Sequence, residues 1–121
     1  MAIHPGSGSA NKCWPAERFA ALASTLCRHG AKVTLIEGPA DREHCAAVAA
    51  QMDDPCIFKR ADLNVVAAFL TRMNACVNND SGIGHLAAAL GVPTVSVFGP
   101  TNPSVWRPTG RRLSSPTDFL P

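Results

Sequence analysis

The chain has 121 residues, of which 46% are hydrophobic and 17% are charged. This length suits one α/β domain over residues 1–121 and is too short for a second, and the composition excludes a disordered or collagen-like chain. A formal net charge of +2 gives no reason to expect a nucleic-acid partner.

The first predicted elements are a strand, a loop of small residues and a helix. The strand covers Ala2 to His4 and runs into the loop from Pro5 to Asn11. Pro15 suits the first turn of a helix, and Gly30 ends that helix. Between them, apolar residues recur at helical spacing at Phe19, Leu22, Ala23, Leu26 and Cys27.

The middle of the chain continues with strands and helices in alternation. The compact run from Val33 to Ile36 predicts a strand that ends before Gly38. A second helix is expected from about Asp41 to Met52, and a third strand from Cys56 to Phe58. Asp62 then suits the N-cap of a third helix, whose apolar face consists of Val66, Phe69, Leu70 and Met73.

The last third predicts one more strand, helix and strand. A strand begins at Cys76 and leads into the polar run Asn78-Asn79-Asp80. The helix that follows ends at Gly91, before a strand from Thr94 to Phe98. The stretch from Gly99 onward is rich in proline and is expected to be irregular.

The resulting order, βαβαβαβαβ, is typical of a doubly wound α/β fold. Right-handed crossovers between parallel strands place helices on both faces of the mostly parallel sheet. Ligands of such sheets bind at the carboxyl ends of the strands. The loops that follow the strands are therefore the places to look for function.

The cysteines and the apolar runs indicate the compartment. Five cysteines are scattered along the chain without a CxxC pair, which indicates reduced thiols rather than a disulfide framework. No apolar run approaches the roughly 20 residues that span a bilayer, and the start of the chain has no basic-then-apolar leader. The sequence therefore predicts a cytoplasmic protein.

The first polar loop, Pro5-Gly6-Ser7-Gly8-Ser9, lies between a strand and a helix. Its small residues would let backbone amides approach an anion, which the helix N-terminus also favours, and Lys12 could add its ammonium group. A purely structural turn explains the glycines and serines equally well. The loop is not the dinucleotide fingerprint, because Asn11 replaces the third glycine, and it is not a P-loop.

The second polar loop, NNDSGIGH, runs from Asn78 to His85. Asp80 or Ser81 is expected to cap the next helix, while the amides of Ser81 and Gly82 face a diphosphate and His85 follows on the ligand side. A lone capping Asp or a lone helical His would be purely structural, but two such loops at one sheet edge favour a phosphate site. No HExxH or close Cys/His spacing predicts a metal site.

Three motifs occur in order: Lys-x-Trp-Pro after the small-residue loop, then Asn-Asp-Ser-Gly-x-x-His, then Phe-Gly-Pro-Thr after the last strand. Through IHPGSGSANKCWPAERFAALA and VNNDSGIGHLAAALGVPTVSVFGPTNPSVWRP, the chain resembles glycosyltransferase family 9, the ADP-heptose:lipopolysaccharide heptosyltransferases. The resemblance covers residues 3 to 108. It implies the Rossmann-like, C-terminal half of a GT-B glycosyltransferase, without the N-terminal acceptor domain and its catalytic aspartate.

The resemblance implies roles for individual residues. Lys12 would be the catalytic residue that stabilises the leaving diphosphate, and the other residues would bind the diphosphate and sugar, the ribose or the adenine. They are Ser7, Gly8, Asp80, Ser81, Gly82 and His85 for the diphosphate and sugar, Asp41 or Glu43 for the ribose, and Ala61 and Leu63 for the adenine. Helix packing explains Ala61 and Leu63 equally well.

The family's reaction is an inverting transfer of heptose from ADP-heptose to the lipopolysaccharide core. Backbone amides and Lys12 can stabilise the charge that develops on the leaving diphosphate, so neither a metal nor another cofactor is expected. The general base would belong to the acceptor domain, so the chain alone is expected to bind donor and to transfer little. The full-length enzyme would associate peripherally with the inner face of the inner membrane.

Two other functions fit parts of the pattern. A non-catalytic nucleotide-binding module would have the same loops and would bind ADP as tightly as an ADP-sugar. A nicotinamide-dependent oxidoreductase shares the fold class, and Glu37 after the second strand is placed to bind its ribose, but the third glycine of its fingerprint is missing. Binding of ADP, ADP-heptose and NAD separates the three functions.

Overall fold

The computed structural model describes residues 1–6, 14–38, 41–59, 62–79 and 82–97, together with the backbone of 113–114. These ranges contain a six-stranded sheet and four helices. The strands are β1 (Ala2–His4), β2 (Thr34–Glu37), β3 (Cys56–Lys59), β4 (Cys76–Asn79), β5 (Thr94–Val97) and β6 (Leu113–Ser114). The helices are α1 (Ala16–Arg28), α2 (Arg42–Ala49), α3 (Leu63–Thr71) and α4 (Gly82–Ala89).

The strands lie in the order β3-β2-β1-β4-β5-β6, and all neighbouring pairs are parallel. The chain builds the sheet outward from β1 to β3, then returns to the other side of β1 and builds outward again from β4. The order therefore reverses between β1 and β4, and doubly wound sheets bind their ligands at such a reversal. The predicted doubly wound α/β fold is confirmed.

The alternation of side chains along each strand divides the core into two layers. Ile3, Leu35 and Val77 pack with residues of α1 and α2 on one face. Their sequence neighbours Ala2, Ile36 and Cys76 pack with residues of α3 and α4 on the other. Helices therefore cover both faces, as predicted, and apolar burial fixes the register of the central strands.

Several predicted boundaries match the structure. β1 has the predicted ends, and α1 and α4 are followed by Gly30 and Gly91, with φ angles of +91° and +82°. Asp62 caps α3, because its Oδ1 accepts a hydrogen bond from the Val65 N–H at 2.9 Å. No helix among the described residues is long and apolar enough to cross a membrane.

Other boundaries were predicted wrongly. α2 ends at Ala49 rather than near Met52, because the N–H groups of Gln51 and Met52 bond to carbonyls only three residues back, so the last turn tightens. The stretch from Gly99 is not wholly irregular, since Leu113–Ser114 forms β6 beside β5. Two residues are too few to show a periodicity, and their pairing is set by distant residues. β2 is shifted to include Glu37.

Candidate functional site

Buried polar side chains concentrate at the carboxyl edge of the sheet. His4 ends β1, Glu37 ends β2, and Asn78 and Asn79 end β4, and each is at most 9% exposed. A buried polar group is unfavourable unless it is hydrogen-bonded, so each of these side chains requires a partner in the protein or in solvent. β1 and β4 are the strands between which the sheet order reverses.

Asn79 links the chain just after β1 to the residue just before the first turn of α1. Its Oδ1 accepts the backbone N–H of Trp14 at 2.8 Å, just before α1. Its Nδ2 donates to the carbonyl oxygens of Pro5 at 2.5 Å and Gly6 at 3.4 Å, just after β1. One fully buried amide therefore fixes where β1 ends and where α1 begins.

Asn78 points to the opposite face and locates α4. Its Oδ1 accepts the Ser96 hydroxyl at 2.9 Å, which ties β4 to β5. Gly84 lies against the same amide so closely that a Cβ at position 84 would overlap Asn78 Oδ1. Glycine is therefore required for the first turn of α4 to approach β4.

A His–Asp pair joins β1 to the start of α2. His4 Nε2 donates to Asp41 Oδ2 at 2.7 Å, and Asp41 Oδ1 accepts the Gly38 N–H at 2.5 Å. Burial alone would raise the pKa of the Asp41 carboxyl, but the hydrogen bond and charge of His4, with backbone N–H groups, lower it below its ordinary value. A Cβ at Gly6 would overlap this carboxylate, so the close approach of the backbone at position 6 to Asp41 requires glycine.

Trp14 anchors the start of α1 in the core. Its ring meets Phe19 edge-on with centroids 5.0 Å apart, and its carbonyl oxygen accepts a hydrogen bond from His44 Nε2 at 3.0 Å. His44 lies on α2, so this contact also joins α1 to α2. The segment next to the first polar loop is thus held by β4 and by α2.

The predicted site residues fall partly within the described ranges. Gly82 and His85 are exposed in the first turn of α4, Asp41 and Glu43 stand at the start of α2, and Leu63 starts α3. The structure therefore brings the starts of three helices to one edge of the sheet. Six of the predicted residues lie outside the described ranges, namely Ser7, Gly8, Lys12, Ala61, Asp80 and Ser81.

Sequence reasoning missed the side chains that position this edge. Asn78 and Asn79 were read as part of a polar loop, whereas both belong to β4 and are fully buried. The signal was present, since two amides directly after the apolar Cys76-Val77 pair require internal partners if the strand continues. The partners of Asn79 could not be predicted, because they lie more than 60 residues away in sequence.

A cavity lies at the opposite edge of the sheet. A cavity of about 860 Å³ opens at the amino edge of the sheet, lined by residues that include Cys27, Arg28, Lys32, Asp53 and Cys56. Its charged side chains are exposed rather than buried in a hydrogen-bonded network. Among the described residues, no group of three or more His, Cys, Asp or Glu side chains is arranged to hold a metal ion. Volume and polar organisation therefore point to opposite edges.

Comparison with known proteins identifies the family. The family model "Glycosyltransferase family 9 (heptosyltransferase)" matches residues 1–115. Lipopolysaccharide heptosyltransferase 1 of Pseudomonas aeruginosa is 41% identical over 107 residues, which cover 88% of this chain and 30% of that protein. The solved Escherichia coli ADP-heptose lps heptosyltransferase II superposes with a TM-score of 0.88 at 27% identity, covering 94% of this chain and 37% of that one.

A second solved structure contains a nucleotide. The Escherichia coli heptosyltransferase WaaC with ADP superposes with a TM-score of 0.85 at 27% identity, over 95% of this chain and 37% of that chain. The chain thus spans about a third of the length of the relatives that it matches. The family model, the relatives and the fold agree, and the chain belongs to glycosyltransferase family 9, the heptosyltransferases.

Proposed function

We propose that this chain is the donor-binding, C-terminal unit of an inverting, cytoplasmic glycosyltransferase that transfers heptose from ADP-heptose to the lipopolysaccharide core. The names of the relatives, and the ADP in one of the similar structures, support the donor and the acceptor class. The observation that carries the proposal is the reversal of strand order between β1 and β4, where Asn79 fixes the end of β1 and the start of α1. Doubly wound sheets bind nucleotides at such a reversal.

The donor diphosphate would lie at the carboxyl ends of β1 and β4. α1 and α4 both begin there, and helix N-termini favour anions through their unpaired N–H groups. Lys12 lies in the sequence between Gly6 and Trp14, the two residues that Asn79 links. Ser7, Gly8 and Lys12, which follow β1, would contact the diphosphate. The residues that follow β4 would bind the diphosphate and the sugar; they are Asp80, Ser81, Gly82 and His85.

The nucleoside would extend toward β2 and β3. The ribose then lies over the start of α2, where Asp41 or Glu43 is available, and the adenine over the start of α3, near Ala61 and Leu63. Leu63 is 66% exposed, so packing within the core does not account for it. An exposed apolar side chain at the end of the donor's path supports contact with a base.

Transfer would build negative charge on the leaving diphosphate. Preorganised amides and the Lys12 ammonium can stabilise that charge without a metal. The proton of the acceptor hydroxyl would be taken by a base of an acceptor domain, and peripheral membrane association would bring that domain to its lipid-linked substrate. The chain alone would therefore bind ADP-heptose while transferring little.

Calorimetric titration tests the proposal. The chain is titrated with ADP, ADP-heptose and NAD, first as wild type and then as Lys12→Ala, with Lys32→Ala as the matched control because Lys32 lines the cavity at the amino edge. We expect saturable binding of ADP and ADP-heptose that Lys12→Ala weakens at least about tenfold, the effect of losing one hydrogen bond to a charged group. Absence of ADP binding would reject the proposal, and equal affinity for ADP and ADP-heptose would favour a non-catalytic module.

A further inference from the structure

Two adjacent asparagines, Asn78 and Asn79, end the central strand β4, and neither side chain is exposed to solvent. Central strands of parallel sheets are buried on both faces and are normally apolar, so two amides in this position are unfavourable unless they are hydrogen-bonded. Cys76 and Val77 follow the apolar rule at the start of the same strand. The polar pair is confined to the carboxyl end, where doubly wound sheets bind their ligands.

The hydrogen-bond partners of Asn79 lie outside the regular elements. Its Oδ1 accepts the Trp14 N–H at 2.8 Å, and its Nδ2 donates to the Pro5 carbonyl oxygen at 2.5 Å. Pro5 directly follows β1, and Trp14 stands two residues before α1. These bonds therefore belong neither to the pairing of strands nor to a helix. They fix the two points of the chain between which Lys12 lies in the sequence.

Asn78 has the corresponding relation to the second polar loop. Side chains of successive strand residues point to opposite faces, so Asn78 faces α4 and Asn79 faces the start of α1. Asn78 Oδ1 accepts the Ser96 hydroxyl at 2.9 Å, and the backbone of Gly84 lies too close to the same amide to admit a Cβ. The first turn of α4 is thus placed against the residue that precedes Asn79.

We propose that Asn79 and Asn78 are positioning residues for the donor diphosphate, an inference that rests on the proposed function. Consecutive Cα atoms are about 3.8 Å apart, so the starts of α1 and α4 are both held by one short piece of β4. A diphosphate that contacts both helix starts needs donors at a fixed separation, and donors that are already in place contribute more to binding than donors that must be ordered.

The two amides act through other residues, because their own polar atoms are engaged within the fold. Asn79 acts through the residues that follow β1, which include Lys12. Asn78 acts through α4, which carries His85 in its first turn. Each amide is therefore coupled to one side of the proposed diphosphate site, and a substitution at either should disturb that side alone.

Double-mutant cycles for ADP binding test the inference. Asn79→Thr and Asn78→Thr are matched substitutions, because threonine suits a strand, while its single hydroxyl cannot replace both polar atoms of an amide. Each is combined with Lys12→Ala and with His85→Ala, and ADP affinity is measured by calorimetry. Val33→Ala, in the core at the amino edge, is the control for lost stability. Serine replaces threonine at either position if thermal unfolding shows that the threonine variant does not fold.

Each asparagine should be coupled to the residue on its own side. We expect Asn79→Thr to weaken ADP binding about 5- to 20-fold and to reduce the effect of Lys12→Ala from at least about tenfold to less than about threefold. The effect of His85→Ala should stay within about twofold of its value in wild type. Asn78→Thr should give the reverse pattern. Val33→Ala should lower the midpoint of unfolding while ADP affinity stays within about twofold of wild type.

Three results would overturn the inference. ADP affinities of both asparagine variants within about twofold of wild type would make the amides purely structural. Weaker binding in which Lys12→Ala and His85→Ala keep their full effects would show that the amides do not act through these residues. A wild type that binds ADP without dependence on Lys12 or His85 would leave the amides nothing to position. Absence of ADP binding in wild type would instead reject the proposed function, and this inference with it.

Discussion

The two edges of the sheet contain the same kinds of side chain in opposite settings. At the carboxyl edge, Asn79, Asp41 and Cys45 are buried or hydrogen-bonded within the fold. At the amino edge, Gln51, Asp53 and Cys56 are exposed around or near a large cavity. The difference teaches that the fold organises polar side chains through burial and hydrogen bonds at the carboxyl edge, whereas those at the amino edge remain solvated beside a cavity. Matched substitutions at the two edges test that conclusion.

Thiol reactivity should give the largest contrast. Burial, with the charges of Glu37 and Asp41, raises the pKa of Cys45 to about 12, whereas a typical exposed thiol has a pKa of roughly 8.5. At pH 8, a thiol with a pKa of about 12 has about a thousandfold less thiolate than an ordinary exposed thiol. Iodoacetamide should therefore modify buried Cys45 at least about 100-fold more slowly than exposed Cys56. Peptide mass spectrometry over time measures both rates. Comparable rates would mean that the carboxyl edge opens readily.

Replacing a buried amide and an exposed amide should change the free energy of unfolding by amounts that differ by several kcal/mol. Asn79→Leu keeps the volume but leaves the Trp14 N–H and the Pro5 carbonyl without a partner, which should lower the free energy of unfolding by about 2–4 kcal/mol. Gln51→Leu removes a hydrogen bond to the Ala47 carbonyl on an exposed surface and should change it by less than about 0.5 kcal/mol. Urea unfolding compares them. Equal losses of unfolding free energy in the two variants would mean that the amides at the two edges contribute equally to stability.

Two glycines of α4 sharpen the comparison within the carboxyl edge. Gly84→Ala forces a Cβ into Asn78 Oδ1 and should destabilise the fold by about 1–3 kcal/mol. Gly82→Ala meets nothing within 4 Å, so its effect on stability should be near zero or slightly favourable. The midpoints of thermal unfolding of the two variants, measured at equal concentration, test this difference. A tolerated Gly84→Ala would show that α4 need not approach β4 closely.

The smallest expected effect concerns the pH dependence of Asp41. Because its pKa is lower in the folded state, its contribution is fully present above the unfolded value, roughly 3.9, and is lost as the pH falls through the folded value. Asp41→Asn should therefore lower the free energy of unfolding by about 1–2 kcal/mol at pH 7 and by less below about pH 4. Asp53→Asn, at the exposed amino edge, should change stability by less than about 0.5 kcal/mol at either pH. A constant Asp41→Asn difference between pH 7 and pH 3 would contradict the His4–Asp41 linkage.

Local patterns predicted most of the fold. The apolar stripe through Phe19 and Ala23 required a helix, and Asp62 marked a helix start through capping chemistry that acts within one turn. β6 was missed because its two residues form a strand only by pairing with β5. Strand order also depends on distant contacts, although the repeating βαβ pattern restricted it to a doubly wound sheet.

The candidate site was predicted less completely than the fold. The sequence located both polar loops and the helices that follow them, because glycine and capping residues are local signals. It could not assign Asn79 its partners, since burial is decided by packing across the whole domain. The Asp41 side chain was predicted to contact the ribose, yet it reaches back to His4, 37 residues earlier. Its predicted contact with the ribose stays a prediction.

The two adjacent amides of β4 also restrict how this sequence can change in length. Asn78 contacts α4 and β5 on one face, and Asn79 contacts the start of α1 on the other. Deleting one residue before them within β4 would exchange their faces, presenting each amide to the other's partners and breaking both helical layers at once. β3, an edge strand with mostly exposed side chains, carries no such constraint. Among homologues, insertions and deletions should therefore accumulate around β3 and be absent from β4.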